Sequence, residues 1–580
     1  MSYKKIYDYI IIGAGTAGGI IAKELTDDKC TSALVLEAGT NMTKELSGAS
    51  NVGAGVFNAD NKFSFNMLTK LEPTIGNRQL RISSGRTIGG SSEHNAMYAV
   101  RGSKKYYDEI GGTFGPQWNY NSLRPLFIKN ETYTGNTQDQ DERGRRGPIF
   151  VRQQMIPKNG LTTILANATS DVLNIPIVED YNTGIRDCTF YKSQILNKKE
   201  DDRFVRSSTA TGYLNEEIVT QGNQFCPDEY GVDGRDLVIL AKTTVNNIIF
   251  FRKERQNIAV GVNFVRNGVS QKAFARKGIV LSAGNFSSLI LQRSGIGKSD
   301  DLAKAGISTL VESPNVGHNF ITHFIAGMGI EVETSRLQAL IDADPDLPFP
   351  LGAFKGEGPT GGRRLQIYST VAPSSVPAAV VVQNNWAFDP AKPSNVMGIS
   401  IYDLTPKSNG TIMIAHSDPE AYPSLNLNPL SDPDGNDLNF MIDRYIEVYN
   451  IMNRARQIDP DGIYKVVYPS EKIFEIPCEA EKRRQLAKFV RASYGNTAHF
   501  GGQCRMGSNI QEGVVDGFLN VFGTKNLKVA DLSISPILQD GNNTLPVQIT
   551  GLNAVRFIKN DMNPCVVTDE ELVENFDCKE

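Results

Sequence analysis

The stretch YDYIIIGAGTAGGIIAKEL near the N-terminus constrains this chain more than any other. Tyr9 to Ile12 is an apolar run that predicts a short buried strand, and Thr16 to Leu25 reads as a helix opened by glycines. Between them Gly13, Gly15 and Gly18 fill G-x-G-x-x-G. Glycine suits such a turn because a pyrophosphate must lie against bare backbone at a helix N-terminus, where free N–H groups and the helix dipole favour an anion. The segment SALVLEAG then supplies a second strand ending at Glu37, 19 residues beyond Gly18. A carboxylate there can accept hydrogen bonds from a ribose diol. Strand, glycine turn, helix, strand and acid in that order predict a dinucleotide site in a Rossmann-like α/β domain, with Thr16, Ala17 and Ala38 beside it. The fingerprint serves NAD and FAD alike.

Related signals recur far along the chain. KGIVLSAGNFSSLILQRSGIG (Lys277 to Gly297) predicts a buried strand, a glycine turn at Ala283 and Gly284, and a helix ended by Gly295. NLKVADLSISP reads as strand then turn, and GNNTLPVQITGLNAVRFI starts a helix. Returning strands at both ends imply one parallel sheet assembled from distant segments. SSGRTIGGSSEHNAMYAVRG (Ser83 to Gly102) has too many small residues for an ordinary helix; it predicts an extended loop followed by a helix from about Asn95. Between about 320 and 494 polar and apolar residues alternate with turn residues, as in antiparallel strands, and Asn436 to Ile458 has helical spacing. That texture predicts a second, α+β domain with an antiparallel sheet and helices on one face. The polar runs NTQDQDERGRRG and NKKEDDR read as solvated surface loops.

Lys and Arg number 60 against 64 Asp and Glu, with no basic stripe, which argues against a nucleic-acid surface. No run reaches the roughly 18 apolar residues of a membrane helix, and glycines interrupt the apolar N-terminus too early for a signal peptide. Seven scattered cysteines (30, 188, 226, 478, 504, 565 and 578), none spaced as CxxC, favour free thiols in a reducing compartment. A cytoplasmic or non-classically exported protein is the expectation. The chain lacks G-x-S-x-G, a Walker sequence and H-E-x-x-H, so serine hydrolysis, phosphoryl transfer and zinc proteolysis have no support. Cys504 and His499 have no further ligands at metal spacing, and His318 and His323 stand five apart, so no metal is expected.

Taken together, the motifs resemble those of the glucose–methanol–choline (GMC) oxidoreductases, a family of FAD enzymes. GRTIGGSSEHNAMYAVRG and SAGNFSSLILQRSGIG resemble two family signatures, with Ser288 where a proline is usual. PNVGHNFITH is similar to V-G-x-N-L-x-D-H, with Thr322 replacing the acid and His323 at a recurrent position. HFGGQCRMG and VVDGFLNVFGTKNLKVADLSISP resemble the C-terminal blocks, so the likeness spans about residues 6 to 560. The general run of the sequence is also similar to members from mimivirus-like giant viruses, which makes a virion component an open reading. The resemblance implies FAD-binding segments at 1–160, 201–320 and 495–580, a substrate or cap segment at 161–200 and a substrate-binding domain at 321–494. It implies that Arg86, Gly89, Gly90, Ser91, Asn95, Ala96 and Met97 pack along the isoalloxazine and pyrophosphate. Val245 would meet the adenine through its backbone. Asp531, with Leu532, Asn543 and Thr544 near it, would lie by the phosphates or ribityl chain.

The resemblance also assigns the chemistry. His499 matches the histidine of H-x-x-G-x-C, the family's base, and a neutral imidazole suits that task. Asn542, 11 residues after Asp531, matches the partner position, where an amide can donate to the substrate oxygen but cannot act as a base. His94, directly before Asn95, matches choline-oxidase-like members that bond a histidine covalently to the flavin 8α-methyl, although Glu93 replaces their serine. His318 and His416 read as ordinary surface or loop residues. The implied reaction is oxidation of a small alcohol, with O2 or another electron acceptor as second partner and a homodimer as an open expectation. Two other readings stay open: a flavin-retaining structural or assembly protein, and a non-redox enzyme like the hydroxynitrile lyases.

Overall fold

Ile6–Ile12 is the centre of an eight-stranded sheet in this computed structural model, which describes residues 6–47, 62–156, 160–201, 203–223, 225–344, 351–357, 361–371, 383–384, 395–561 and 565–576. It pairs in parallel with Ala33–Leu36 on one side and with Val269–Leu281 on the other. Leu237–Leu240 extends the parallel array beyond Ala33–Leu36, and Leu527–Val529 adds to Ile279–Leu281. Segments from the beginning, middle and end of the chain therefore lie side by side, as the returning strands predicted. Their near-continuous apolar runs follow from burial on both faces, since helices cover a parallel sheet on each side. Gly18–Leu25 packs against the helix Thr544–Lys559. Val269–Leu281 also turns back into an antiparallel meander with Gln256–Arg266 and Thr243–Lys253.

The second sheet is antiparallel throughout, in the order Lys465–Tyr468, Phe324–Glu331, Val396–Asp403, Arg363–Thr370, Gly352–Glu357, Cys188–Phe190. Its side chains alternate between two faces. Phe324, Ala326, Met328 and Ile330, with Leu365, Ile367, Ile399 and Ile401, join the buried residues of helices Leu161–Leu173 and Asn436–Ile458 in one core. The intervening positions, Ile325, Thr370, Ser400 and Tyr402, face a cavity. Helices on one face and a cavity on the other is the predicted α+β arrangement, and the helix at Asn436–Ile458 has the bounds its spacing predicts.

Three expectations fail. No helix starts at Asn95: after a short 3-10 turn at Gly90–Glu93 the chain runs extended until Lys104. Asn95 Oδ1 accepts from the Met97 N–H at 2.8 Å and Met97 takes φ 56°, an Asx-type turn that diverts the backbone from a helix. The run at 197–203 is not a loop but part of a hairpin, Asn197–Glu200 with Arg203–Arg206. The run at 136–147 is only partly solvated, because Arg143 is buried between Glu131 (3.1 Å) and Asp180 (3.6 Å), beside the Arg101–Glu131 pair. A string of charges does not reveal which one turns inward. Cys30, Cys188, Cys226, Cys478, Cys504 and Cys565 are free thiols, and Cys578 lies outside the described residues. Among the described residues no helix is long and apolar enough to cross a membrane.

Candidate active site

The carboxyl ends of the parallel strands open onto a cavity of about 1060 Å³ that reaches the free face of the antiparallel sheet. In open α/β sheets this is the end where ligands bind. Ile12 and Leu36 end their strands on its wall, and Ala283, Gly284, Asp531 and Leu532 follow the strands ending at Leu281 and Val529. Gly15, Thr16 and Ala17 line it at the start of the first helix, as do Gly13, Glu37, Ala38, Arg86, Gly90, Ser91, His94, Asn95, Ala96, Val245, Asn543 and Thr544. Gly18, Gly89 and Met97 do not line it. Gly18 lets the helix approach the strand, since a Cβ there would stand 2.0 Å from the Gly13 carbonyl oxygen. Gly89 backs onto Glu93 and Ala210, and Met97 lies in the core.

Several features fit a dinucleotide. Gly13 holds φ 97°, and a Cβ on it would meet the Ser282 carbonyl oxygen at 2.6 Å, so backbone forms this wall. Glu37 is buried at the end of its strand; Ala14 N–H donates to one carboxylate oxygen and Gly39 N–H to the other. Burial pushes its pKa up, and these backbone donors oppose the shift. Each oxygen keeps a lone pair for a ribose hydroxyl. Asn543 is 5% exposed, and neither its amide oxygen nor its amide nitrogen has a partner among the described residues. His94 Nε2 is likewise buried without one. Buried polar atoms aimed into a cavity call for a polar ligand. Asp531 lines the wall but already accepts from Gly284 N–H (2.9 Å), the Ser287 hydroxyl (2.6 Å) and Ser533 N–H (2.8 Å). Its first duty is to hold together the two loops that follow the strands.

Arg206 supports the glycine–serine loop from behind. Its Nη1 donates to Asn95 Oδ1 at 2.7 Å and to the Ser92 carbonyl at 3.3 Å, and Asn95 Nδ2 donates to the Thr544 hydroxyl at 2.8 Å. Burial pushes the Arg206 guanidinium down to about 10, with Glu93 opposing. Burial also pushes His94 down to about 4, and the Arg206 charge adds to that shift. His94 is therefore a neutral imidazole at physiological pH. Glu93, at the position where the resembling subgroup has a serine, is fully buried and accepts from the Ser208 hydroxyl.

At the other end of the cavity His499 and Asn542 face each other, with His499 Nε2 and Asn542 Nδ2 3.5 Å apart. Asn542 Oδ1 accepts from Gln366 Nε2 (3.0 Å) and from the Tyr368 hydroxyl (2.8 Å). Those two donors fix the amide so that its NH2 group points to the histidine and the cavity. Two residues earlier, Asp540 accepts from the Ser103 N–H (2.8 Å), the Ser103 hydroxyl and the Arg363 N–H (2.9 Å), which anchors the loop bearing Asn542. Surrounding protein desolvates His499 and pushes its pKa down to about 4. His499 Nδ1 lies 2.9 Å from His323 Nδ1, with the rings at 88°. His318 is half-buried beside Asp301 and His416 is exposed, and neither lines the cavity.

Sequence reasoning missed Gln366, Tyr368, Arg206, Asp540 and the pairing of His323 with His499. Gln366 and Tyr368 stand at alternate positions of one strand, a face signal that the neighbouring apolar residues mask. Among the described residues no group of three or more His, Cys, Asp and Glu is placed to hold a metal.

Known proteins share this arrangement along nearly the whole chain. Profiles described as GMC oxidoreductase match residues 7–325 and 406–551. The oxygen-dependent choline dehydrogenase 1 of Chromohalobacter salexigens is 29% identical over 570 residues, covering 94% of this chain and 93% of that one. An uncharacterised GMC-type oxidoreductase of Mycobacterium bovis is 27% identical over 575 residues, covering 95% and 99%. Among solved structures, pyridoxine 4-oxidase from Mesorbium loti superposes with a TM-score of 0.76 at 21% identity, covering 96% of this chain and 100% of that one. A formate oxidase variant from Aspergillus oryzae, studied for FAD modification, gives 0.78 at 20% identity, covering 97% and 99%. The chain belongs to the GMC oxidoreductase family and is an FAD-dependent oxidoreductase.

Proposed function

We propose that the protein oxidises an alcohol, a CH–OH donor, to the aldehyde or ketone, with His499 as base and Asn542 as donor to the substrate oxygen. When bound, FAD supplies the hydride acceptor at N5 and passes electrons to O2 or another acceptor. The observation that carries this reading is the 3.5 Å approach of His499 Nε2 and Asn542 Nδ2 at the cavity wall, with the amide oxygen already engaged. A hydroxyl oxygen between them can receive an Asn542 N–H while its proton leaves to Nε2. With its pKa near 4 the imidazole is neutral at physiological pH and free to accept that proton. Ile325 and Tyr402 give this end of the cavity an apolar wall that excludes water around the reacting oxygen.

Anaerobic mixing of the FAD-loaded protein with a panel of primary and secondary alcohols tests the reading. Loss of the flavin's visible absorbance, abolished in His499→Ala, supports it; a yellow protein that no alcohol bleaches overturns it and returns a structural role to the front.

The same reading extends to a covalent histidyl–FAD link through His94. Its support is a buried, neutral imidazole with Nε2 unpartnered on the cavity wall. Acid precipitation decides the point: flavin colour in the pellet, lost in His94→Ala, supports the link, and colour wholly in the supernatant refutes it.

A further inference from the structure

Two antiparallel segments bring a second histidine against the base. Ile321 and Gly501 exchange backbone hydrogen bonds at 3.0 and 2.9 Å, and Phe324 pairs with Asn496 and Ile325 with Gly495. Between these pairs the Thr497 N–H and hydroxyl both donate to the His323 carbonyl, at 3.2 and 3.1 Å. Thr497 is the backbone partner of His323; the register then slips through Ala498, at φ 59°, before Ile321 meets Gly501, and this brings the His323 and His499 Nδ1 atoms to 2.9 Å. His323 is fully buried, and Thr322, standing where the family's acid is usual, turns its hydroxyl to the His323 carbonyl at 3.3 Å. Among the described residues no charged side chain replaces that acid in the pair's hydrogen bonds.

We infer that His323 is a positioning residue whose Nδ1 accepts the Nδ1–H of His499, which holds the lone pair of His499 Nε2 toward the cavity. The direction of each hydrogen bond leads to this assignment. Gln366 and Tyr368 both donate to Asn542 Oδ1, so the group Asn542 turns to His499 Nε2 is an N–H. An N–H facing Nε2 requires the lone pair there, and a neutral imidazole then carries its proton on Nδ1. Among the described residues the acceptor beside that proton is His323 Nδ1, which must itself be bare. The His323 proton then resides on Nε2, which is buried with no hydrogen-bond partner among the described residues, while the Gln539 backbone favours a proton on the ring. Donation thus runs one way from Gln366 and Tyr368 through Asn542 and His499 to His323. Both rings are neutral, because burial disfavours charge on each and a proton on one repels a proton on the other.

This assignment rests on the proposed role of His499, and its test is built to fail separately. Histidine labelled with 15N in the FAD-loaded protein reports which ring nitrogens carry protons, and only five histidines need assigning, each by one substitution. The expected spectrum has His499 protonated at Nδ1 and bare at Nε2. In His323→Leu the acceptor is gone, so both tautomers of His499 are expected to appear and turnover of the best alcohol to fall about 10²-fold or more. In His323→Asn the amide oxygen can take the place of Nδ1, so the tautomer is retained and turnover stays within about tenfold of the parent. Flavin absorbance and melting temperature of both variants report folding. A His499 protonated at Nε2 in the parent, or a His323→Leu protein with parental tautomer and turnover, overturns the inference. Should no alcohol reduce the parent's flavin, the proposed reaction falls, and the nitrogen shifts alone decide the assignment.

Discussion

The two ends of the cavity are built by different means. At the cofactor end the wall is mostly backbone: glycine turns after parallel strands, each encoded by a few consecutive residues. At the substrate end the wall is side chains, from antiparallel strands and from loops far along the chain, such as Gln366 beside Asn542, 176 residues apart. A backbone wall tolerates many side chains but no added Cβ at its tight turns. A side-chain wall tolerates backbone adjustment but no loss of a particular polar atom. Substitutions at the two ends should therefore fail differently, the first in how much cofactor is held and the second in turnover by each bound cofactor.

The largest effect is expected at the substrate end. His499→Ala should lower kcat on the best alcohol by about 10³-fold, within the usual range for loss of a general base. Flavin content and melting temperature should stay close to the parent's, because the ring opens onto the cavity. Loss of flavin in this variant would break the division between the ends. Asn542→Ala should cost about 10²-fold in kcat, as loss of one preorganised donor to a reacting oxygen does.

The mirror experiment is Gly13→Ala. The new Cβ would meet the Ser282 carbonyl oxygen at 2.6 Å in a backbone at φ 97°. Strain of that kind costs on the order of 1–3 kcal/mol, so FAD affinity is expected to fall about 10- to 100-fold. Titration with FAD should restore kcat per bound flavin to nearly the parental value. A variant that binds FAD normally but turns over slowly would contradict the contrast.

This contrast also explains what the sequence made legible. G-x-G-x-x-G, the glycines at 89 and 90 and the acid at Glu37 are local signals, because a turn's backbone geometry is decided by its own residues. The sheet assembled from both chain ends was legible because buried parallel strands read as apolar runs. The helix expected from Asn95 failed because an Asx turn and the positive φ of Met97 compete with helix formation there. Arg206 and Asp540 were illegible for another reason: a buried charge is recognisable only once its partners, here Asn95 and Ser103, are brought to it. His499, Asn542 and the position of His323 were found through the family motifs, whereas the contacts of His323 with His499 and of Gln366 with Asn542 exist only in the folded chain.

Acid should separate the two ends as well. Enclosure lowers the His499 pKa from its ordinary 6.5 to about 4, and the proposed base needs the neutral ring. Activity is therefore expected to be level from pH 8 down to about 5 and to fall about tenfold per unit below pH 4. An acid limb near 6.5 in kcat/KM would mean that the site is open to water in the working enzyme.

The smallest effect probes how finely the side-chain wall is tuned. Tyr368→Phe removes one of the two donors to Asn542 Oδ1 and leaves Gln366 Nε2 at 3.0 Å. The phenyl ring keeps its packing against Tyr98, whose ring centroid lies 4.0 Å away. One net hydrogen bond is worth about 1 kcal/mol, so kcat should fall about fivefold with flavin content unchanged. Gln366→Leu should cost a similar factor. The double variant should cost more than the product of the two, because only then can the amide flip and present its oxygen to His499 Nε2. A merely multiplicative double variant would show that something other than these two donors fixes the amide. A loss near 10²-fold in Tyr368→Phe alone would place the hydroxyl on the substrate itself, and the line between positioning and reacting groups would move one residue deeper into the sheet.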